Sequence, residues 1–95
     1  MRLEWRPMAL SDRERIMDFI AQDNPQAAID LDTLFEERAN ALIENPKLYK
    51  PGRMKNTRDA VVHPNYVMVY QVKGDIVSIV RVLHTSQQWP TKKFS

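Results

Sequence analysis

The sequence contains no cysteine, only two glycines and only two histidines among its 95 residues. The lack of cysteine excludes disulfide bonds, thiol catalysis and cysteine-based metal sites. Two histidines argue against a histidine-rich metal site, and two glycines argue against a phosphate-cradling loop. No apolar run approaches the roughly 18 residues of a membrane-spanning helix, and the charged N-terminus does not resemble a signal peptide. We therefore expect a cytoplasmic protein that needs no metal or other cofactor and does not act at a membrane.

The composition is that of a folded chain. Hydrophobic residues make up 43% and charged residues 27% of the sequence, with a net charge of only +2. Low hydrophobicity and a large charge imbalance, which are typical of disordered chains, are both absent. The length suits one domain over residues 1–95. Whether the polar tail of residues 90–95 is ordered stays open.

Charge is strongly segregated along the chain. Residues 11–37 contain eight acidic and two basic side chains, whereas residues 47–58 contain five basic side chains and no acidic one. The basic segment could face a nucleic acid or an acidic protein. Alternatively, it is a solvated loop whose charge is offset by the neighbouring acidic helices. The sequence alone leaves both interpretations open.

Two amphipathic helices are predicted in the first half. The first begins either at Pro7, since proline suits a first helical position, or at Ser11, which opens a Ser-x-x-Glu capping box with Glu14. It ends near Gln22, and its predicted apolar face contains Leu10, Ile16, Met17, Phe19 and Ile20. The second follows Asn24-Pro25 and ends near Asn45-Pro46, with apolar residues at three- and four-residue steps. The short connection predicts an antiparallel helical hairpin.

Four short segments have the character of strands. Residues 2–6 alternate, which predicts a strand with Leu3 and Trp5 facing inward. After a loop over residues 47–57, three further strands are predicted at residues 58–63, 66–72 and 76–84. Their tight turns require antiparallel hairpins. The sequence therefore predicts an α+β fold, with an N-terminal strand, a helical hairpin and a three-stranded antiparallel meander, in which the helices cover one face of the sheet.

Polar residues that could carry chemistry cluster on these C-terminal strands. Arg58, Arg81 and His84, assisted by His63, would suit a metal-independent endoribonuclease, since histidine transfers protons near neutral pH and arginine stabilises a phosphorane. Each also has a structural explanation: His63 could only shape a turn, and His84 could be a hydrogen-bonded edge residue. Tyr66 fits ordinary packing within a sheet. Trp89, in a polar tail, is typical of an interface, although it could also fold back on the core.

Several of these residues stand in segments that resemble the RelE/ParE superfamily of bacterial type II toxins. The segments are Pro51-Gly52-Arg53, residues 57–70 with His63-Pro64-Asn65-Tyr66, and Arg81-Val82-Leu83-His84. The resemblance covers nearly the whole chain. It implies a β-α-α-β-β-β order, in agreement with the elements predicted above, and a toxin neutralised by a cognate antitoxin that adds a helix and a strand.

The superfamily includes two activities. RelE-like toxins cleave messenger RNA on the ribosome, whereas ParE-like toxins poison DNA gyrase. Aligned with RelE-like toxins, this chain has Ala60, Val67 and Thr85 at or near positions of basic catalytic residues and Trp89 near a tyrosine, while Arg58 could replace a second catalytic lysine. Val61 and Asn65 likewise replace functional residues of the histidine-using relatives. The resemblance is thus closer to ParE.

Three hypotheses follow from the resemblance. The first is a ParE-like gyrase inhibitor, which would not be an enzyme. The second is a RelE-like nuclease that uses Arg58, Arg81 and His84 with His63, and whose partner is the ribosome with its mRNA. The third is an inactive relative that only binds its antitoxin. Residues expected to contact the target or the antitoxin are Lys50, Arg53, Lys55, Arg58, His63, Asn65, Tyr66, Arg81, His84 and Trp89.

Overall fold

A computed structural model describes residues 1–87. These residues form six elements in the predicted order. The elements are β1 (Arg2–Trp5), α1 (Pro7–Ala21), α2 (Pro25–Glu44), β2 (Arg58–His63), β3 (Tyr66–Lys73) and β4 (Ile76–His84). The tail of residues 90–95 and Trp89 lie outside the described residues, so the expectations for them stay predictions.

The strands form one sheet in the order β1-β4-β3-β2. The meander of β2, β3 and β4 is antiparallel, as the tight turns require. β1 is parallel to β4, with Trp5 opposite Ile79, so the sheet is mixed. A parallel pair needs a long crossover connection, and the helical hairpin is part of the long connection between β1 and β4. The α+β class is confirmed, and the parallel edge is the detail that turn lengths do not reveal.

The helices cover one face of the sheet, and the core lies between the two layers. It includes Ala9, Phe35, Met68, Tyr70 and Ile79, each at most 1% exposed. Leu3 and Trp5 of β1 pack against this cluster, as predicted from their alternation. A smaller apolar cluster of Val67, Val69 and Leu83 is separate from this core. Because side chains alternate along a strand, it belongs to the opposite surface of the sheet, which we name the outer face.

The structure decides where each helix begins. α1 begins at Pro7, after an extended Arg6 whose side chain makes no cap, so Ser11 lies inside the helix rather than at its start. α2 begins at Pro25, and the Asn24 side chain accepts a hydrogen bond from the Ala27 amide at 3.1 Å. That bond satisfies one of the amides that a helix start leaves unpaired.

The buried stripe of α1 differs from the predicted apolar face. Leu10 and Phe19 are 49% and 70% exposed. The side directed at the sheet contains Ala9, Asp12, Ile16 and Ile20, which recur at three- and four-residue steps. The prediction was wrong for Leu10 and Phe19 because the stripe passes through a carboxylate, which a search for apolar spacing leaves out. Among residues 1–87, no helix is long and apolar enough to cross a membrane.

Candidate functional site

Two histidines flank one tyrosine at one end of the sheet. Tyr66 begins β3, and the strand register places His63 on one side of it and His84 on the other. The ring centroids of His63 and Tyr66 are 5.6 Å apart, and those of Tyr66 and His84 are 5.4 Å apart in an edge-on arrangement. Phe35 of α2 packs against Tyr66 from the core side. The sheet therefore brings together three of the predicted site residues.

Hydrogen bonds orient both imidazoles. The Nδ1 atom of His63 accepts from the Asn65 amide at 3.0 Å, and that of His84 accepts from the Ser86 amide at 3.1 Å. A nitrogen that accepts from an amide carries no proton, so each neutral ring has its proton on Nε2. Both rings are thereby fixed with Nε2 as the donor, an arrangement that suits recognition and also proton transfer.

A shallow cleft of about 340 Å³ adjoins His84. We name it the helix cleft, because it lies between α1 and the sheet; its lining is Arg15, Ile16, Phe19, Tyr66, Val82, His84 and Gln87. Phe19 leaves most of its ring in water at this cleft. An exposed aromatic ring beside a groove is typical of a surface that a partner covers.

β4 extends beyond its partner β1 at this cleft. The pairing with β1 ends at Trp5 and Ile79, whereas β4 continues to His84. Within the extension, the Val82 amide donates to the Asp12 carboxylate at 2.9 Å instead of to a strand. The edge of β4 therefore ends in a short stretch that β1 does not cover, where the Asp12 carboxylate binds the Val82 amide.

Arg81, one of the predicted catalytic residues, is bound to a buried carboxylate. Its Nε and Nη2 atoms donate to both oxygens of Asp12, at 2.7 and 2.9 Å. Arg15 donates to Asp12 as well, at 2.5 Å. Burial alone would raise the pKa of Asp12, but the hydrogen bonds from Arg81, Val82 and Arg15 outweigh it and lower that pKa. The hydrogen bonds between Arg81 and Asp12 also raise the pKa of Arg81. Arg81 thus joins β4 to α1.

Asp12 is the residue that reasoning from the sequence missed. It was counted as one acidic side chain of the segment 11–37, yet it is 1% exposed. Two signals were present: its helical spacing with Ala9 and Ile16, and a lone arginine inside an apolar strand. A charge in such a strand implies a buried partner of opposite charge.

Arg58 lies at the other end of the sheet. It pairs with Tyr70, four residues along β3 from Tyr66, which corresponds to about 13 Å. Its Nη1 atom donates to the Tyr49 carbonyl at 2.5 Å. Beside it, the Tyr70 hydroxyl donates to the Pro46 carbonyl at 2.7 Å, and burial raises the pKa of Tyr70. The strand register therefore does not bring Arg58 together with His63 and His84.

The remaining predicted binding residues lie on loops. Lys50 and Lys55 are exposed on the basic loop between α2 and β2. Arg53, on the same loop, contacts Asp59 at 3.3 Å. Asn65 is exposed in the turn between β2 and β3. Their roles in binding stay predictions.

Among the described residues, three positions aligned above with basic catalytic residues hold uncharged side chains. Val67 is 4% exposed and packs with Val69 and Leu83. Ala60 is buried in the main core, on the helix side of the sheet. Thr85 is exposed just after β4. These three positions, aligned above with basic catalytic residues, thus hold a buried valine, a buried alanine and a neutral hydroxyl.

Comparison with protein families and curated proteins assigns the chain. Residues 3–89 match the family model described as "ParE toxin of type II toxin-antitoxin system, parDE". "Putative toxin Y4kP" of Sinorhizobium fredii is 36% identical over 90 residues, covering 94% of this chain and 93% of the relative. "Toxin RelE2" of Caulobacter vibrioides is 35% identical over 85 residues, covering 87% and 93%. The matching family model thus has the ParE name, whereas one of the two similar proteins has the RelE name.

Solved structures agree on the fold. The chromosomal ParDE system from P. aeruginosa matches with a TM-score of 0.78 at 22% identity, covering 88% of this chain and 95% of that one. The E. coli DinJ-YafQ toxin–antitoxin complex matches with a TM-score of 0.53 at 22% identity, covering 88% and 91%. At such identities the similarity is one of architecture.

Proposed function

Because the chain belongs to the ParE toxin family of type II toxin–antitoxin systems, we propose that it inhibits DNA gyrase by binding it and that a cognate antitoxin neutralises it. On this proposal the chain is a protein-binding toxin and not an enzyme. It acts in the cytoplasm, where gyrase and its DNA are found.

Uncharged residues at three positions aligned with basic catalytic residues are the observation that carries the proposal. Cleavage of RNA needs cationic groups to stabilise a developing negative charge and a residue to move the proton. Three positions aligned with basic catalytic residues hold Ala60, Val67 and Thr85, and both Ala60 and Val67 are buried in apolar clusters. A site without cations at these positions supports binding of a protein rather than cleavage of RNA.

The helix cleft supports an antitoxin partner. Phe19 and Ile16 offer apolar surface to a docking helix, and β1 leaves the extension of β4 uncovered for an added strand. Arg15 and His84 border the same cleft and would suit acidic side chains. The antitoxin is expected to be the product of the neighbouring gene, and its co-expression should abolish toxicity.

A ribosome-dependent nuclease is the second candidate, and the histidine pair favours it. The Nδ1 atoms of His63 and His84 each accept from a backbone amide, which leaves Nε2 of each ring for other contacts. Against it, Arg81 is bound to Asp12, and Arg58 pairs with Tyr70, about 13 Å along β3 from Tyr66. A nuclease would have to work with the histidines, without the arginines that were expected beside them.

The test is the order in which syntheses stop after induction in bacteria. Pulse-labelling of DNA and protein over the first minutes should show that DNA synthesis stops first. Purified chain should also inhibit supercoiling by gyrase, and added antitoxin should relieve the inhibition. If protein synthesis collapses first while supercoiling is unaffected, the gyrase proposal is wrong and the nuclease becomes the leading candidate.

His84 is the better residue for a mutational test than Arg81. Replacing Arg81 would leave Asp12 without its main partner in the core, so lost toxicity could mean lost folding. His84→Gln keeps a polar side chain at an exposed position. If the chain is a gyrase inhibitor, His84→Gln should bind gyrase more weakly. If it is a nuclease, His84→Gln should lose cleavage of mRNA while still binding the ribosome.

Phe19 tests the antitoxin site. Phe19→Ser should weaken antitoxin binding by about tenfold or more, because a buried aromatic ring contributes well over 1.4 kcal/mol at an interface. Ile29→Ser is the matched control, since Ile29 is also an exposed apolar residue of a helix but lies on α2 outside the cleft lining. Equal effects of both changes, measured by calorimetry, would remove the helix cleft from the proposal.

A further inference from the structure

A second concave surface lies at the end of the sheet opposite Tyr66. It is a cleft of about 850 Å³ near the turn between β3 and β4 and the N-terminal end of β2. Three cationic side chains line it: Lys47, Arg58 and Lys73. We name it the basic cleft. It lies apart from the helix cleft, with which it shares no lining residue.

The three cations come from separate parts of the chain. Lys47 follows α2, Arg58 begins β2 and Lys73 ends β3. Among residues 1–87, the lining includes no aspartate or glutamate. Like charges that converge on one concavity without a counterion destabilise the fold slightly, and an anion bound there would relieve the repulsion. Cations from three parts of the chain thus line one concave surface, whereas a row of lysines along one exposed helix would line none.

The walls of the basic cleft are held by hydrogen bonds. Arg58 donates to the Tyr49 carbonyl, and Tyr70 donates to the Pro46 carbonyl, so the loop after α2 is fastened to the sheet at two points. One of the five N–H donors of the Arg58 guanidinium is engaged in that contact. A guanidinium that is already oriented loses less entropy when it binds an anion.

The lining also has an apolar part. Pro46 and Val72 contribute hydrocarbon surface next to the cations. The volume lies within the range of about 300–1,000 Å³ found for small-molecule sites. Inorganic phosphate would use only the charges, whereas a nucleotide would place its phosphate on the cations and its base on the apolar wall. We propose that the basic cleft binds the phosphate and base of a nucleotide, either free or within a single strand.

This inference does not depend on whether gyrase or the ribosome is the target. It assigns a ligand to the basic cleft, which lies apart from the helix cleft. The nucleotide proposal and the proposed function can therefore fail independently of each other. A toxin with such a site would have its folded state stabilised by the nucleotide, in proportion to the logarithm of ligand concentration.

The probes are inorganic phosphate, AMP and a single-stranded oligonucleotide of eight residues, each titrated into the full chain at low salt. AMP should bind more tightly than inorganic phosphate, because it also covers the apolar wall. If the oligonucleotide binds far more tightly than AMP, the source of the phosphate is a strand; the reverse order indicates a free nucleotide. The proposal is overturned if none of the three binds at millimolar concentration.

A pair of double variants separates the cleft from general basicity. Lys47→Gln with Lys73→Gln removes two lining charges, whereas Lys50→Gln with Lys55→Gln removes two charges of the basic loop that do not line the cleft. The first pair should lower AMP affinity about tenfold or more, since each charge-assisted contact contributes strongly to binding. The second pair should change it less than about twofold. Equal losses would overturn the proposal.

An acidic peptide tests the chemistry of the ligand. An octamer of glutamate has about the same charge as the oligonucleotide but has neither phosphate nor base. It should bind more weakly than the oligonucleotide at the same ionic strength. Equal or tighter binding of the peptide would mean that the cleft recognises carboxylates of a protein partner, and the nucleotide proposal would then be wrong.

Discussion

At the scale of single residues, Asp12 joins α1 to β4 through a buried carboxylate. Its two carboxylate oxygens accept from Arg81, Arg15 and the Val82 amide. A buried carboxylate is stable only when such partners offset its lost hydration. The stability of the junction between α1 and β4 therefore depends on one acidic residue.

Asp12→Asn should destabilise the chain by about 2–4 kcal/mol. The amide keeps the size of the side chain and one acceptor, but it leaves the Arg81 guanidinium, whose side chain is 12% exposed, without its charge partner. Urea denaturation provides the measurement. Asp18→Asn, at an exposed position of the same helix, should change the free energy of unfolding by less than about 0.5 kcal/mol. A loss below 1 kcal/mol for Asp12→Asn would contradict this role.

Gly52 is required for a steric reason. A Cβ atom at this position would collide with Oδ1 of Asp59 and lie 2.8 Å from Oγ1 of Thr57. Gly52→Ala should therefore destabilise the chain by about 1–3 kcal/mol, the usual cost of overpacking. In an Asp59→Ala background, Gly52→Ala should destabilise the chain less, and a double-mutant cycle of denaturation free energies measures the difference. If the free-energy changes of the two substitutions are strictly additive, the collision is relieved elsewhere.

At the scale of elements, Arg13 joins three of them. Its guanidinium lies 4.4 Å from the ring centre of Trp5 in β1, and it donates to both oxygens of Asp32 in α2 at 2.8 Å. The hydrogen bonds with Asp32 are the main reason that the pKa of Arg13 is raised. A planar fork that stacks on indole and also binds a carboxylate in two places cannot be replaced by an ammonium group.

Arg13→Lys should therefore lower stability by about 1–2 kcal/mol even though the charge is kept. Arg38→Lys, on an exposed position of α2, is the control and should be nearly neutral. Thermal unfolding of both variants, followed by circular dichroism, distinguishes them. Similar melting temperatures for the two would show that the fork geometry does not matter.

The elements also show how far the sequence predicts the fold. Both ends of α2 were predicted, because Asn24-Pro25 and Asn45-Pro46 are local signals. The partner of β1 was not, because parallel pairing arises from tertiary packing and leaves no mark in turn length. For the candidate site, His63, Tyr66 and His84 are neighbours through simple strand register. Arg81 and Arg58 were placed with them only by residue type. The actual partner of Arg81, Asp12, is distant in sequence, and that of Arg58 is the carbonyl of Tyr49 in an irregular loop.

At the scale of the whole molecule, stability should fall in acid. The pKa of Asp12 is lowered in the folded chain, so the unfolded chain binds the proton first as pH falls. The contribution of Asp12 is complete above about pH 5 and is lost as pH falls through about 4, the value for an unfolded aspartate, towards the folded pKa.

Denaturation free energies between pH 6 and pH 3 measure this dependence. The natural chain should lose stability steeply over the lower half of that range. Asp12→Asn should flatten the slope, whereas Asp18→Asn should leave it unchanged. An unchanged slope in Asp12→Asn would assign the acid sensitivity to other carboxylates.

The parallel pairing of β1 with β4 has a consequence for synthesis. The first strand made needs the last strand made as its neighbour, because β1 contacts β4 and the intervening chain supplies both helices and the two other strands. During translation the hairpin of α1 and α2 can form early, but the sheet stays incomplete while β4 is inside the exit tunnel. Both the helix cleft and the basic cleft include residues of the late strands. The helix cleft, whose lining includes Val82 and His84 of β4, is therefore incomplete until β4 has left the tunnel.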